Sequence, residues 1–296
     1  MEVINIQNLS KSYGRIHALD DLSLTIEAGQ IYGILGPNGS GKTTTLGIIL
    51  SILKADSGSF QWFEGKYGSN PRKNIGAILE TPNFYPYLNA IDNLEIVRHI
   101  KKVEDRNFDE ILDIVELSHR KKSLFSTFSL GMKQRLAIAA TMIGNPDVVI
   151  FDEPTNGLDP QGIADVRKTL LHIADSGKTV IMASHILDEV EKICSHVAIL
   201  KNGKLLAKGP VGSILNNDII IELKANDNSH LSEVLKQLDY IKSIEDNQGI
   251  LECSLPPDAD PALLSTFLHE KGLVITHFQV RKRKLEEEFL SITKNK

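Results

Sequence analysis

The chain has 296 residues, is 42% hydrophobic and 24% charged, and carries a formal net charge of −5. That balance is ordinary for a soluble globular protein and leaves material for one large domain or two unequal ones. It offers no general basic field for nucleic acid and no apolar run long enough to cross a bilayer, so a membrane role would come through a partner.

Taken in chain order, the start Met1-Glu2-Val3-Ile4-Asn5 lacks a basic region followed by an apolar core, and no signal peptide is read there. Residues 3–6 and 22–26 alternate like strands of a half-exposed sheet. Between them lies Lys11-Ser12-Tyr13-Gly14. Taken alone, Tyr13 reads as a loop aromatic; beside a nucleotide site it becomes a platform for an adenine ring. Base–aromatic stacking contributes about 1–3 kcal/mol and tolerates different bases.

A short apolar run, residues 31–35, reads as a buried strand and feeds into Gly36-Pro37-Asn38-Gly39-Ser40-Gly41-Lys42-Thr43. These residues fit the phosphate-loop pattern G-x-x-x-x-G-K-[ST]. Leu46, Ile49, Leu50 and Leu53 then recur at helical spacing. Strand, glycine loop and helix in that order give the motif its context. Glycines let successive backbone N–H groups converge on phosphate, and the helix start adds the positive end of its dipole. Lys42 would reach the β- and γ-phosphates, and the Thr43 hydroxyl would ligate Mg²⁺. Thr44, the next residue, completes the stretch assigned to the nucleotide.

Residues 75–79 read as another strand, ending in Glu80-Thr81-Pro82. The following residues, 83–88, place Phe84, Tyr85 and Tyr87 around Pro86, which resists both helix and central strand. That loop reads either as a tucked-in satellite core or as an apolar docking surface. Residues 92–117 are helical by pattern. Ser129 is a natural N-cap for a helix running to Ile143, and Gly131 keeps the backbone N–H groups at its positive end accessible.

The apolar strand 148–151 runs into Asp152-Glu153-Pro154, which puts two carboxylates where open α/β sheets bind ligands. Asp152 would hold Mg²⁺ through water, and Glu153 would orient or deprotonate the attacking water. A further buried strand, 179–183, delivers Ser184-His185, with His185 placed to touch the γ-phosphate. A helix at 186–194, a strand at 197–200 and the turn Asn202-Gly203-Lys204 follow. Cys194 and Cys253 lie far apart without metal-ligand spacing and read as reduced, inert thiols. The tail reads strand 219–223, helix 231–238, strands 241–245 and 250–255, helix 262–271, strand 274–280 and helix 285–293. Its βαββαβ order suggests a ferredoxin-like module.

With these pieces in order, residues 3–215 resemble the ATPase of an ATP-binding cassette (ABC) transporter. Gly36 to Thr43 resembles the Walker A loop, and the strand ending in Asp152 and Glu153 resembles Walker B with its catalytic glutamate. Phe128-Ser129-Leu130-Gly131-Met132 resembles the signature usually written LSGGQ, Asn156-Gly157-Leu158-Asp159 the D-loop, His185 the switch histidine and Tyr13 the adenine-stacking aromatic. Two positions depart. Leu130 replaces the first signature glycine, and Glu80 stands where the Q-loop glutamine would be, which puts that position's metal and coupling role in doubt. The wider pattern is similar to drug-resistance and bacteriocin-immunity exporters, whose ATPase and permease are separate chains.

The resemblance implies an α/β fold: a P-loop cassette with a mostly parallel core sheet, an antiparallel N-terminal β subdomain and a helical signature subdomain. It assigns residues 1–213 to the cassette and 214–296 to a small α+β accessory domain. It implies ATP and Mg²⁺ as cofactors, with Thr43, Asp152 and Glu80 as metal candidates and Lys42, Glu153 and His185 as catalytic residues. ATP would sit on Tyr13 and residues 36–44, and Ser129, Gly131 and Asp159 would face the ATP held by a second cassette. Two cassettes, as a homodimer, would close head to tail on the inner face of the cell membrane. A permease would dock near Phe84, Tyr85 and Tyr87, and no nucleic acid is expected. Arg281-Lys282-Arg283-Lys284 reads as a solvated charge run, or as a contact to acidic lipid beside the permease. Rival readings are an ABC protein acting on ribosomes or DNA, and a nucleotide-gated binder without turnover. The single Walker A loop, the lack of a long heptad stretch and the intact Glu153 count against them.

Overall fold

Side chains that are apolar at every position of a strand leave it no face for water, and such strands belong in the middle of a covered parallel sheet. In the computed structural model, which describes residues 1–68, 70–214, 218–282 and 285–294, the chain folds around three such strands. Its N-terminal part runs β1 (Glu2–Tyr13), β2 (Ile16–Glu27), β3 (Ile31–Leu35), α1 (Lys42–Ile49), β4 (Ser57–Trp62) and β5 (Ile75–Ile78). Helices α2 (Ala90–Lys101), α3 (Phe108–Ile114) and α4 (Leu130–Met142) come next. They are followed by β6 (Val148–Asp152), α5 (Pro160–Asp175), β7 (Thr179–Ser184), α6 (Leu187–Ile193), β8 (His196–Lys201) and β9 (Lys204–Pro210). Every residue of β3, β6 and β7 is buried.

The main sheet has the order β5-β6-β7-β3-β8-β9, parallel except for β9. Val148 pairs with Thr179, and Ile31 with Val180, so β3, β6 and β7 end side by side. The loops carrying the phosphate motif, the acidic pair and His185 therefore leave one edge together. A second, antiparallel sheet has the order β2-β1-β4. Ile4, Ile6, Leu22 and Leu24 of its hairpin share a core with Ile34, Leu46, Ile150 and Ile181 of the main layer. Trp62 Nε1 donates to Ile49 O at 2.8 Å, closing the end of α1 against β4.

The structure corrects several expectations. Residues 92–117 are not one helix. Lys102 takes a left-handed conformation, its N–H returns to Arg98 O and His99 O, and Arg98 Nη1 donates to Val103 O at 2.5 Å. That capped turn separates α2 from α3. Tyr13 ends a twelve-residue strand instead of sitting in a loop. Strands β4 and β9 and helix α5 were not anticipated.

The chain divides into two compact units, Met1–Val211 and Gly212–Lys296, with the boundary in the one-turn helix α7 (Val211–Ile214). The second unit contains β10 (Ile219–Ala225), α8 (Asn228–Leu235), β11 (Ser243–Asn247), β12 (Ile250–Leu255), α9 (Pro261–Glu270), β13 (Ile275–Lys282) and α10 (Leu285–Lys294). Its sheet order is β11-β12-β10-β13 with every neighbouring pair antiparallel. The first strand thus lies between the third and fourth, which is the ferredoxin-like arrangement. Its own core joins Ile221, Leu223, Leu231, Leu235, Cys253, Leu264 and Leu268. Strand β11 begins at Ser243, two residues later than expected, and α8 ends at Leu235 instead of 238. Arg283 and Lys284 of the expected charge run lie outside the described residues. Burial pushes the Cys194 and Cys253 thiols up to about 12, as unreactive thiols require. Among the described residues no helix is long and apolar enough to cross a membrane.

Candidate nucleotide-binding site

The phosphate loop is held in shape by glycines that nothing larger replaces. A Cβ on Gly36 would lie 2.3 Å from Ser40 Oγ and 2.4 Å from Leu200 O. Gly41 has φ 106°, and a Cβ there would lie 2.4 Å from Ala18 O. Gly41 is also the N-cap of α1 and offers no side chain to it, so the first N–H groups of that helix remain for a ligand.

Lys42, in the first turn of α1, is 6% exposed. Its Nζ donates to Gly36 O at 2.8 Å and stands 3.4 Å from Glu153 Oε1. Glu153 in turn receives His185 Nδ1–H at 2.8 Å and the His185 backbone N–H at 3.3 Å, both on Oε2. Lys42, Glu153 and His185 thus form one continuous chain of polar contacts. Glu153 sits at φ 50° with its N–H bonded to Ala183 O at 2.9 Å. A non-glycine residue in that region is held there by its surroundings, a common condition for catalytic groups.

Thr43 Oγ1 donates to Asp152 Oδ2 at 2.7 Å, which places the acidic strand end against the phosphate loop. Asp152 is 5% exposed, and its Oδ1 has no hydrogen-bond partner. Burial raises its carboxyl above the usual range, and the charges of Glu153 and Glu80 push the same way against the Thr43 hydrogen bond. Ser40 Oγ is likewise buried without a partner. A buried acceptor and a buried hydroxyl, both in the phosphate-loop and acidic-strand region, fit a ligand that brings a cation and anionic oxygens.

Other expected site residues stand apart from this cluster. Tyr13 is 48% exposed, with Lys11 Nζ 5.5 Å from its ring centroid. Glu80 is exposed at φ 65°. Among the described residues it makes no hydrogen bond or ion pair, and it reaches Asp152 only through its charge. Ser129 caps α4 by accepting from Met132 N at 3.3 Å, and Asp159 caps α5 by accepting from Gly162 N at 2.9 Å. These two helix starts are neighbours: a Cβ on Gly131 would lie 3.6 Å from Gly162 Cα, and one on Gly157 would lie 3.6 Å from Leu130 Cδ2. Leu130 therefore lies beside Gly157 and remains 48% exposed.

The aromatic loop divides between core and surface. Phe84 packs edge-on against Phe125 at 5.3 Å, whereas Tyr85 and Tyr87 are 49% and 68% exposed. Buried Asn93 pins this loop: its Oδ1 accepts from Tyr85 N at 2.9 Å, and its Nδ2 donates to Tyr85 O at 3.1 Å and Asn89 O at 3.0 Å. Sequence reasoning missed Asn93, because an asparagine among the polar positions of a helix carries no local signal. The Lys11–Asp56 pair at 2.7 Å, which ties the Tyr13 end of β1 to the start of β4, was missed because its partners are far apart in sequence.

Residues 19–156 match the family model described as ABC transporter. The chain is 36% identical over 297 residues to the bacitracin transport ATP-binding protein BcrA of Bacillus licheniformis, covering 98% of this chain and 97% of that one. It is 38% identical over 227 residues to the lantibiotic transport ATP-binding protein SrtF of Streptococcus pyogenes, covering 74% of this chain and 99% of that one. Among solved structures, the dimeric post-hydrolysis state of the ATP-binding cassette MJ0796 bound to ADP and Pi matches with a TM-score of 0.62 at 27% identity, over 70% of this chain and 98% of that one. A phosphate loop joined through Glu153 to His185, with relatives similar over nearly the whole length, makes this chain a member of the ABC transporter family, as an ATP-binding subunit.

Proposed function

We propose that this ATP-hydrolysing ABC subunit powers a separate membrane permease that exports peptide antibiotics of the bacitracin or lantibiotic kind. The observation that carries the hydrolytic part is the Lys42–Glu153–His185 chain beside the partnerless Asp152 oxygen. The names of two relatives, the bacitracin and the lantibiotic transport ATP-binding proteins, support the substrate class.

In this reading Lys42 turns from Gly36 O to the β- and γ-phosphates, and the open N–H groups of α1 take the remaining oxygens. Thr43 and Asp152 would hold Mg²⁺. Among the described residues no three His, Cys, Asp or Glu side chains converge as a cation site, so phosphate oxygens and water would complete it. When bound, the ion supplies charge neutralisation at the phosphates. Glu153 accepts the proton of the attacking water, and His185 fixes the carboxylate through its Nδ1–H and backbone N–H. Tyr13 takes the adenine ring.

Ser129, Gly131 and Asp159 are grouped with each other, not bonded to Lys42 or Glu153. That grouping supports a head-to-tail pair in which one subunit's α4 start meets the ATP of the other. The exposed Tyr85 and Tyr87 on a loop pinned by Asn93 support permease docking there, which would hold the subunit at the cytoplasmic face of the membrane. The chain bound to its permease, assayed as wild type and as Glu153→Gln, tests the reading. The variant should bind ATP, hydrolyse it about 10²-fold or more slowly, and remove protection of cells against the exported antibiotic. Wild-type turnover in the variant, or protection that survives it, would refute the assignment.

A further inference from the structure

Helix α6 follows directly on His185, and its local support is the Asp188–Lys192 pair one turn apart and the Ser184 hydroxyl that accepts from Ile186 N at 3.0 Å. It is seven residues long, and its N-cap Ile186 gives it no side-chain hydrogen bond. A helix that short depends on tertiary contacts. Val190 and Ile193 are buried, and Val190 Cγ1 packs so closely on β3 that a Cβ on Gly33 would lie 2.9 Å from it. Apolar contacts set the depth of the helix, and the hydrophobic effect behind them is not directional.

The directional contact comes from α5. Glu189, in the first turn of α6, is 5% exposed, and Arg167 meets it with two parallel bonds. Arg167 Nε lies 3.2 Å from Oε2 and Nη2 lies 3.2 Å from Oε1. Lys192, in the last turn of α6, stands 4.0 Å from the same carboxylate. A two-point guanidinium–carboxylate pair fixes an angle as well as a distance. The Arg167 side chain is 28% exposed and the Glu189 carboxylate is buried; a half-buried pair of this kind is a poor net stabiliser, and orienting a structural element is a use that justifies its cost. The two helices joined here carry different parts of the site. Helix α5 is capped by Asp159, and α6 extends the segment whose His185 holds Glu153.

We infer that Arg167, through its two-point pair with Glu189, is a positioning residue that aligns His185 on Glu153 and links the Asp159 end of α5 to that alignment. The inference rests on the ATP-hydrolysing reading for its kinetic consequence and on geometry alone for its structural one. Loss of the pair should leave ATP binding intact, because Lys42 and Thr43 are held by the phosphate loop and Asp152. It should impair the step that needs Glu153 in place.

The experiment uses the full chain as wild type, Arg167→Met, Glu189→Gln, the exchange of Arg167→Glu with Glu189→Arg, and Glu153→Gln. Turnover, KM for ATP, ATP affinity, melting temperature and the NMR signal of the His185 ring are followed. The expected result for Arg167→Met is turnover lowered about tenfold or more, since small misplacements cost that much. KM and ATP affinity should stay within about twofold, and the His185 ring signal should move. The charge exchange should restore most of the turnover. Unchanged turnover in a folded Arg167→Met protein would overturn the inference. A fall of turnover, affinity and melting temperature together, with no recovery in the exchanged pair, would also overturn it. If wild type hydrolyses ATP no faster than Glu153→Gln, the ATPase reading fails. The His185 signal then still decides the positioning, because it either moves in Arg167→Met or refutes the inference.

Discussion

A buried carboxylate with one oxygen bonded and the other bare is costly to keep charged, and Asp152 is in that position. Burial and the nearby Glu153 and Glu80 raise its folded-state value above the usual one, so its charge opposes folding once the pH exceeds the unfolded value. Asp152→Asn keeps an acceptor for Thr43 and removes that charge. The expected result is a higher melting temperature without nucleotide at neutral pH, a gain that fades as the pH falls into the ordinary carboxylate range. The same variant should lose the Mg²⁺-dependent part of ATP stabilisation. Thermal melts with ATP, with and without Mg²⁺, check both parts; a lower melting temperature without ligand would contradict the argument. Glu80 acts from farther away. It is exposed and bonds to nothing among the described residues, so solvent and salt screen its pull on a metal. Glu80→Gln should keep the Mg²⁺ dependence of the isolated subunit's ATPase within about twofold and alter stimulation by the permease. A clear change in Mg²⁺ affinity would make Glu80 a ligand.

At the scale of elements, what was legible and what was not follow from burial. Strands β3, β6 and β7 are apolar throughout, so their order with the phosphate loop, the acidic pair and His185 could be read directly. Strand β9, at the edge of the main sheet, and β4, at the edge of the antiparallel one, have exposed or half-buried residues at nearly every position, and their apolar residues are interrupted by Lys, Ser and Gly without a clean alternation. Such sequences look like loops. The break between α2 and α3 was hidden because apolar positions continue in helical phase on either side of Lys102. The contacts that join elements were invisible for another reason: Arg167 and Glu189 are far apart in sequence and form no periodic pattern. Lys101 is a further case. Its Nζ leaves α2 and donates to Ala140 O at 3.3 Å, Thr141 O at 3.1 Å and Ile143 O at 3.0 Å, closing the C-terminal end of α4. Burial lowers it from 10.5 to about 8. For a lysine lowered in the fold, the contribution to stability is complete above the unfolded value and is lost as the pH falls through the folded one. The stability of wild type relative to Lys101→Met should therefore improve as pH rises from about 8 to 10.5. Denaturant unfolding of both proteins at pH 7 and pH 10.5 measures it, and a gap that is the same at both would refute the shift.

At the scale of the whole molecule, the question is whether the nucleotide site needs the C-terminal unit. The site residues all lie within Met1–Val211, the first compact unit. Its core joins the β1–β2 hairpin to the main sheet, and β9 closes that sheet by pairing with β8 from His196↔Pro210 to Lys201↔Lys204. The last sheet pairing of the cassette is thus complete before α7 begins. The second unit has a separate core, built from one face of a four-stranded sheet and helices α8 and α9. A unit with its own buried apolar cluster has the material to fold alone, though a small one has little stability to spare. A chain limited to residues 1–214 is therefore expected to remain soluble, to unfold cooperatively and to bind ATP within about threefold of the full chain, since every residue assigned to phosphate belongs to the first unit. Residues 218–294 alone should give a dispersed amide spectrum and a lower melting temperature. If the shortened chain aggregates or loses ATP binding, the two cores are not independent and the cassette boundary near residue 213 is wrong. If it binds ATP and hydrolyses it but no longer responds to the permease, the C-terminal unit serves assembly and not the chemistry.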